Sequence, residues 1–532
     1  MKQTSKRYSL YFLLAFLPAA LFLLWLLFMK LTGTAVSTAP VVSDELFWYH
    51  QITAMVDSNM PLGYFGYNGT HAPHGTFGPW GIAILVPYAL WGKIFGFGIH
   101  SMCIANVTLL GLALFFFALL AKVTKKDLPY LLMGYCTLLL NIFYSVSSMA
   151  EPLRWGLGMV LTGCMIRIYK GCGKFFKYIF MPLFLLYCAQ AYLLLTLFVP
   201  VYLMMVLPVK RLWLRLGISG IITAVLAVIM RKVLFLVVSP LYITSTETLS
   251  LKEMILKKIN SAWLVLKNFT PAGLWENRTV SYGFVSLFFL TFLVFLFLTL
   301  ALTLHSLKKG NRGEASCKDH KHPDSKNLLF SLLAFYLLAG ALGGYCLVYH
   351  NPSLWTVCRG LNTAFASAVL LIALCRNKKL TLVCVLLSLI ALPSFYKMSV
   401  NNLERRVFTE EQEQLFQTAQ KDFEKIFEIS PENSRWDNTI AQYGLRNPGT
   451  QTVLTLAMPR SAGYNSMLNT DLVSEAKYAL VFHSDKKKYP GIIKNLKANG
   501  YETAYQHETL TILTRNGVSG SSKQGETEIS AR

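Results

Sequence analysis

The sequence predicts a polytopic α-helical membrane protein of about eleven transmembrane helices, with a small extracytoplasmic α/β domain at its C-terminus. Three observations lead there. Of 532 residues, 54% are hydrophobic and only 14% charged, a balance too apolar for a soluble chain of this size. Apolar runs that approach or exceed the roughly 18–20 residues needed to cross a bilayer recur along the chain. After about residue 397 the charge rises and the long apolar runs stop.

The first run, Ser9–Leu31, is longer than the roughly 7–15 apolar residues of a signal peptide and reads as an uncleaved anchor. Lys2, Lys6 and Arg7 precede it, which places the N-terminus in the cytoplasm. Basic loops follow at Lys122–Lys126, Arg167–Lys177, Lys210–Arg215, Lys308–Lys326 and Arg376–Lys379. All of them are cytoplasmic only if two segments are read in one way. Pro79–Phe97, which contains Pro87, Lys93 and several glycines, must lie flat on the outer surface as an amphipathic helix. Phe175–Val209 must form a tight helical hairpin turning near Gln190-Ala191-Tyr192. The spans then fall at 9–31, 100–121, 128–148, 152–169, 176–190, 193–208, 213–236, 283–306, 327–349, 357–375 and 380–396.

Three segments remain outside: a first loop of about 32–99, a loop of about 237–282, and everything after 396. On this topology the net charge of +23 largely reports cytoplasmic loops rather than a nucleic-acid surface. The ten cysteines are scattered without CxxC or metal-ligand spacing and read as buried thiols.

Residues 397–518 read as the α/β domain and 519–532 as a disordered Gly-, Ser- and Glu-rich tail. Glu404–Ile429 has helical periodicity, and Lys477–His483 reads as a buried strand. Tyr489–Ala498 reads as a helix ending at Gly500, and Tyr501–His507 with Thr509–Thr514 as a hairpin. The domain shows no nucleophile elbow, phosphate loop or metal spacing, so it reads as a packing or acceptor-binding module.

The chemistry concentrates where the chain leaves its first span, at Ser43-Asp44-Glu45-Leu46-Phe47-Trp48-Tyr49-His50. Carboxylates beside a bilayer are costly unless they pair, bind a metal or react. A helix beginning at Ser43 would carry Asp44 and Glu45 in its first turn, where the macrodipole favours them; that is also ordinary helix chemistry. The same loop holds Asp57, His71, His74, Tyr64, Tyr67 and Trp80. Glu151 and Arg154, three apart at the outer end of the fourth span, pair with each other or serve the site.

An acidic residue after the first span, an outer-surface helix, and a following span that ends in basic residues together resemble the GT-C glycosyltransferases. The likeness is to dolichyl-phosphate-mannose protein mannosyltransferases and aminoarabinose lipid A transferases. It rests on Ser43-Asp44-Glu45, on His71-Ala72-Pro73-His74-Gly75-Thr76-Phe77-Gly78-Pro79-Trp80, on Leu85–Lys93, and on Arg359 in Cys358-Arg359-Gly360-Leu361-Asn362. It covers about 30–400 in layout. The Pro-Pro-Leu run of that group is here Gly78-Pro79-Trp80, and its Arg-Tyr-x-x-Pro pattern is reduced to Arg359.

The resemblance implies an integral-membrane enzyme in domain 1–396 that transfers a sugar from a polyprenyl-phosphate donor to a glycan, lipid or protein acceptor at the outer face, with inversion. It makes Asp44 the base, with Glu45 second, and Lys93, Arg154 and Arg359 the candidates for the donor phosphate. His71, His74 and Glu151 would contact substrate or hold a divalent metal ion, the one cofactor the pattern admits. The partners are then the donor, the acceptor and the bilayer, with no nucleic acid, and the location is a plasma membrane, bacterial rather than of the endoplasmic reticulum. The competing readings are a transporter or flippase of lipid-linked sugars and a sensor anchored by its spans. Convergence of Asp44, His71, Lys93 and Arg359 on one outer cavity would favour the enzyme.

Overall fold

The computed structural model describes residues 2–41, 43–58, 65–66, 82–209, 211–237, 280–311, 323–348, 354–430, 432–433, 437–444, 449–460, 462–467 and 476–515, with isolated positions 253, 256, 259, 260 and 263. Its membrane part runs α1 (Lys2–Leu31), α2 (Ser43–Ser58), a two-residue strand β1 (Phe65–Gly66), α3 (Ile82–Phe95), α4 (Ser101–Ala121), α5 (Leu128–Cys136), α6 (Leu139–Ser145) and α7 (Glu151–Tyr169). It continues through α8 (Met181–Ala191), α9 (Phe198–Val206), α10 (Leu212–Val237), α11 (Val280–Asn311), α12 (Pro323–Val348), α13 (Leu354–Leu374) and α14 (Lys378–Glu404). The C-terminal part contains α15 (Glu410–Ile426), β2 (Thr439–Tyr443), α16 (Thr450–Leu456), β3 (Gly463–Met467), β4 (Tyr478–Phe482), α17 (Tyr489–Ala498), β5 (Tyr501–His507) and β6 (Leu510–Arg515).

Among the described residues seven helices are long and apolar enough to cross a membrane: α1, α4, α10, α11, α12, α13 and α14. An eighth span is available if α5 and α6 are taken together, although they meet at 62°. The bend falls at Thr137-Leu138, where Leu138 leaves helical geometry. The Thr137 hydroxyl donates back to the Gly134 carbonyl, and the Thr137 carbonyl accepts from the Ser388 hydroxyl of α14. A broken helix persists at membrane depth only where its freed backbone groups find such partners.

α7 is the hub. Its charged ends keep it from reading as a simple apolar span, yet nearly all of its residues are buried, between α4 on one side and α13 on the other. Gly163 makes the α4 contact possible: a Cβ there would sit 3.1 Å from the Phe117 Cα and 3.2 Å from its carbonyl oxygen. The segment from Phe176 holds a π-helical turn, α8, and then a break at Tyr192, whose backbone is extended. A 3₁₀ turn at Leu193–Leu197 follows before α9. The break lies at the turn read from the sequence.

α3 buries Ala83, Ile84, Leu85, Tyr88, Ala89 and Gly92 and exposes the large apolar side chains of Ile82, Leu90, Ile94 and Phe95. Most of the 237–282 loop, including Tyr242 and Trp275, lies outside the described residues.

The C-terminal part is built on a six-stranded sheet of order β1-β3-β2-β4-β6-β5. β1, β3, β2 and β4 are parallel neighbours, whereas β6 lies antiparallel between β4 and β5. β4, α17 and the β5–β6 hairpin lie where alternation and turn signals place them. β2, β3 and α16 were not legible, and β1 comes from the segment between α2 and α3, about 400 residues away in sequence. The helical pattern of Glu404–Ile429 is interrupted after Glu404. α15 begins afresh with Thr409 as N-cap, and Thr409 and Gln412 bond reciprocally to each other's backbone amides.

Candidate active site

α2 begins at Ser43 and carries Asp44 and Glu45 in its first turn. Adjacent residues on a helix are about 100° apart around its axis, so the two carboxylates point different ways. Asp44 faces the start of α13, where Arg359 Nη1 lies 3.9 Å from its Oδ2. Glu45 turns inward to Arg406, at the foot of α14, with Arg406 Nη2 2.6 Å from its Oε1 and Nη1 3.0 Å from its Oε2.

Arg359 also reaches the start of α7. Its Nε lies 3.3 Å from Glu151 Oε1, and the same oxygen receives Arg154 Nη1 at 3.2 Å. The result is an alternating chain, Asp44, Arg359, Glu151, Arg154, assembled from the N-terminal ends of three helices. Carboxylates at helix N-termini are favoured by the macrodipole, which helps α2 and α7 present Asp44 and Glu151 there. The Arg359 backbone is held by Trp155, whose indole N–H donates to the Arg359 carbonyl at 3.1 Å. Arg154 lies over the Trp48 ring at 5.8 Å and the Tyr192 ring at 4.9 Å. Tyr192 in turn exchanges a 2.8 Å hydroxyl hydrogen bond with Tyr345.

Exposure separates the members by task. Glu151 is sealed, with 2% of its side chain exposed, whereas Arg359 keeps 22% and Asp44 37%. Asp44 therefore stands at the mouth of the cluster. Burial pushes its carboxyl above the ordinary carboxylate range; Arg359 pulls it down, and Glu151 and Glu45 push it further up. The open fraction of its side chain makes that displacement the one of a carboxylate at a rim rather than of a sealed one. At 3.9 Å its contact with Arg359 is an ion pair without hydrogen-bond geometry, looser than the fork that holds Glu45.

The other sequence candidates lie elsewhere. Lys93 donates to the Val56 carbonyl in the last turn of α2, twelve residues beyond Asp44 and thus about 18 Å along the helix. His71 and His74 lie outside the described residues. Of the four expected convergent groups, the structure brings Asp44 and Arg359 together.

A divalent ion does not fit the described donor set. Asp44 stands at the rim and Glu151 is sealed behind it, with the Arg359 guanidinium contacting both. Among the described residues no third His, Cys, Asp or Glu joins them in a group able to hold a metal.

Sequence reading missed Arg406, Trp155, Tyr192 and Tyr345 as members of the site. Arg406 contacts Glu45 across 361 residues of chain, a pairing that no local spacing encodes.

No family model and no curated protein matches the chain at a significant level. Among solved structures it is similar to an oligosaccharyltransferase from Archaeoglobus fulgidus, solved with zinc and sulfate, at 11% identity and a TM-score of 0.44, over 93% of this chain and 71% of that one. It is similar also to ArnT from Cupriavidus metallidurans bound to undecaprenyl phosphate, at 10% identity and a TM-score of 0.33, over 93% of this chain and 97% of that one. At such scores the likeness carries no argument about what this chain does, and the chemistry must come from the site.

Proposed function

We propose that this protein is an integral-membrane glycosyltransferase that moves a sugar from a polyprenyl-phosphate donor to an acceptor hydroxyl at the outer face of the membrane, with inversion. The observation that carries the reading is the meeting, at one rim, of a part-open carboxylate whose basicity is raised by burial with a part-open guanidinium, both backed by a buried Glu151–Arg154 pair.

In this mechanism the acceptor oxygen attacks the anomeric carbon and Asp44 takes its proton. The bond from that carbon to the phosphate oxygen breaks, and the polyprenyl phosphate departs with the electron pair. Arg359 meets the growing phosphate charge, and Arg154 adds to the positive field behind it. Negative charge on Asp44 and Glu151 suits an oxocarbenium-like transition state. His71 and His74 remain proposed substrate contacts from the first loop.

The proposed placement is a bacterial plasma membrane with the N-terminus in the cytoplasm and about eleven spans. The loops that carry Lys122, Lys170, Lys326 and Arg376 support it. Lys170 donates to the last turn of α4, Lys326 to that of α13, and Arg376 pairs with Asp127 at 2.8 Å, so these residues share the end opposite Asp44.

The test is transfer from radiolabelled polyprenyl-phosphate sugars in membranes carrying wild type or Asp44→Asn. Transfer that falls by about 10²–10⁴-fold in an inserted Asp44→Asn protein is the expected result. Equal transfer in both removes Asp44 from the mechanism. Absence of transfer from wild type across several sugars turns the reading to a transporter of lipid-linked sugars.

A further inference from the structure

We propose that the buried Glu45–Arg406 pair is the device that sets Asp44 and Glu151 on either side of Arg359, which makes Glu45 and Arg406 positioning residues of the transfer reaction. The proposal rests on the function argued above.

The pair is closed on all sides. Both side chains are 1% exposed, and the guanidinium forks onto both oxygens of the carboxylate. Arg406 Nη1 also donates to the Ala39 carbonyl at 2.9 Å, and Nη2 to Asn402 Oδ1 at 3.0 Å. Glu45 Oε2 accepts from the Val41 amide at 2.9 Å, and Oε1 from the Ser148 amide at 3.2 Å. Four segments thus meet at one ion pair: the end of the first outer link, the first turn of α2, the turn before α7, and the foot of α14.

Two of these segments lead straight to the rim. Glu45 is the neighbour of Asp44, and Ser148 is three residues before Glu151. A rotation of the first turn of α2, or a slide of the turn at Ser148, would move a carboxylate relative to Arg359. The pair blocks both movements. Desolvating two charges is costly, and an apolar pair of similar volume generally packs at least as well, so packing alone gives no reason for ions here. The planar two-pronged geometry of arginine does give one, because it sets direction as well as distance.

This assignment separates Glu45 from the role of base. Arginine nitrogens and backbone amides already converge on both of its oxygens, deep behind the rim, while Asp44 stands in front.

The experiment compares Arg406→Met, Glu45→Gln, Arg406→Lys and the double variant Glu45→Met/Arg406→Met, measuring kcat per folded enzyme, KM for the lipid donor and thermal unfolding. The single neutralising variants are expected to unfold at lower temperature and to lose about 10²-fold in kcat with KM within about threefold of wild type. Arg406→Lys, which keeps the charge but not the fork, should fall between. The double variant leaves no buried unpaired charge and is expected to regain stability while kcat stays low. Recovery of kcat together with stability, or a single variant with wild-type kcat, overturns the proposal. If wild type itself transfers no sugar, the functional reading fails separately. Amide exchange over residues 41–48 and 148–151 then decides the pair's role: faster exchange in the double variant supports positioning, and unchanged exchange overturns it.

Discussion

Asp44 and Glu151 are both carboxylates at helix N-termini, yet one is open and one is sealed, and the proposed mechanism gives them different work. With Asp44 as base, activity requires its ionised form, so the acid limb of kcat/KM should follow its raised pKa and lie above the ordinary carboxylate range. Glu151 raises that pKa by charge repulsion. Glu151→Gln should therefore move the acid limb to lower pH, and pH–rate profiles of the two proteins would show it; a shift to higher pH would contradict the assignment. Arg359→Ala removes the cation facing both carboxylates and is expected to lower kcat by about 10²-fold or more. Beside it, Gly360 has no room for a side chain, because a Cβ would overlap the Tyr345 hydroxyl and ring. Gly360→Ala should cost about 1–3 kcal/mol and displace Tyr345 from Tyr192, measurable as a lowered unfolding temperature in detergent.

At the scale of elements, α2 behaves as a rail fastened along its length. Its first turn is held by Arg406 and its last by Lys93 and by Arg460, whose Nε lies 3.3 Å from Asp57 Oδ2. In between, the Thr53 hydroxyl reaches the Arg460 carbonyl and His50 Nε2 lies 3.2 Å from the Thr455 carbonyl. Lys93 thus joins α3 to the end of α2, where a cation also suits the helix dipole. Lys93→Ala should reduce kcat far less than Arg359→Ala, and a loss of equal size with a raised donor KM would return Lys93 to the phosphate site. The start of α2 was legible, since Ser43 followed by two acids is an N-terminal signature. The break between α14 and α15 was not, because helical periodicity continues across it; the break places Arg406, 1% exposed, at the buried pair with Glu45.

At the scale of the whole molecule, the C-terminal domain and the membrane domain share a boundary through α2. Phe47 packs on the core of the C-terminal domain, and Leu456 of α16 packs on the membrane core. The segment between α2 and α3 adds β1 to the edge of the C-terminal sheet, pairing Phe65 with Tyr464 and Gly66 with Asn465. The domain therefore supports the site it does not itself contain. Deleting residues 409–532 should leave the spans inserted but strip one side of α2, with transfer lost per inserted molecule. The topology has its own check. In intact cells a membrane-impermeant maleimide should label Lys494→Cys, and Lys125→Cys only after permeabilisation. The opposite pattern would invert the whole assignment.

The apolar runs, their basic loops and the acidic first turn of α2 are local properties, and the sequence by itself determined them because hydropathy, charge and helix-terminus chemistry act over neighbouring residues. It also marked Asp44 and Arg359 as the groups to watch. Only the tertiary structure decided that they meet, that Lys93 serves the far end of α2, and that Glu45 belongs to Arg406. Asp44 with Arg359 and Glu45 with Arg406 are contacts across more than 300 residues, Lys93 with Val56 one across 37, and none follows from neighbouring residues. At Glu45–Arg406 burial converts a weak surface attraction into a specific and directional pairing.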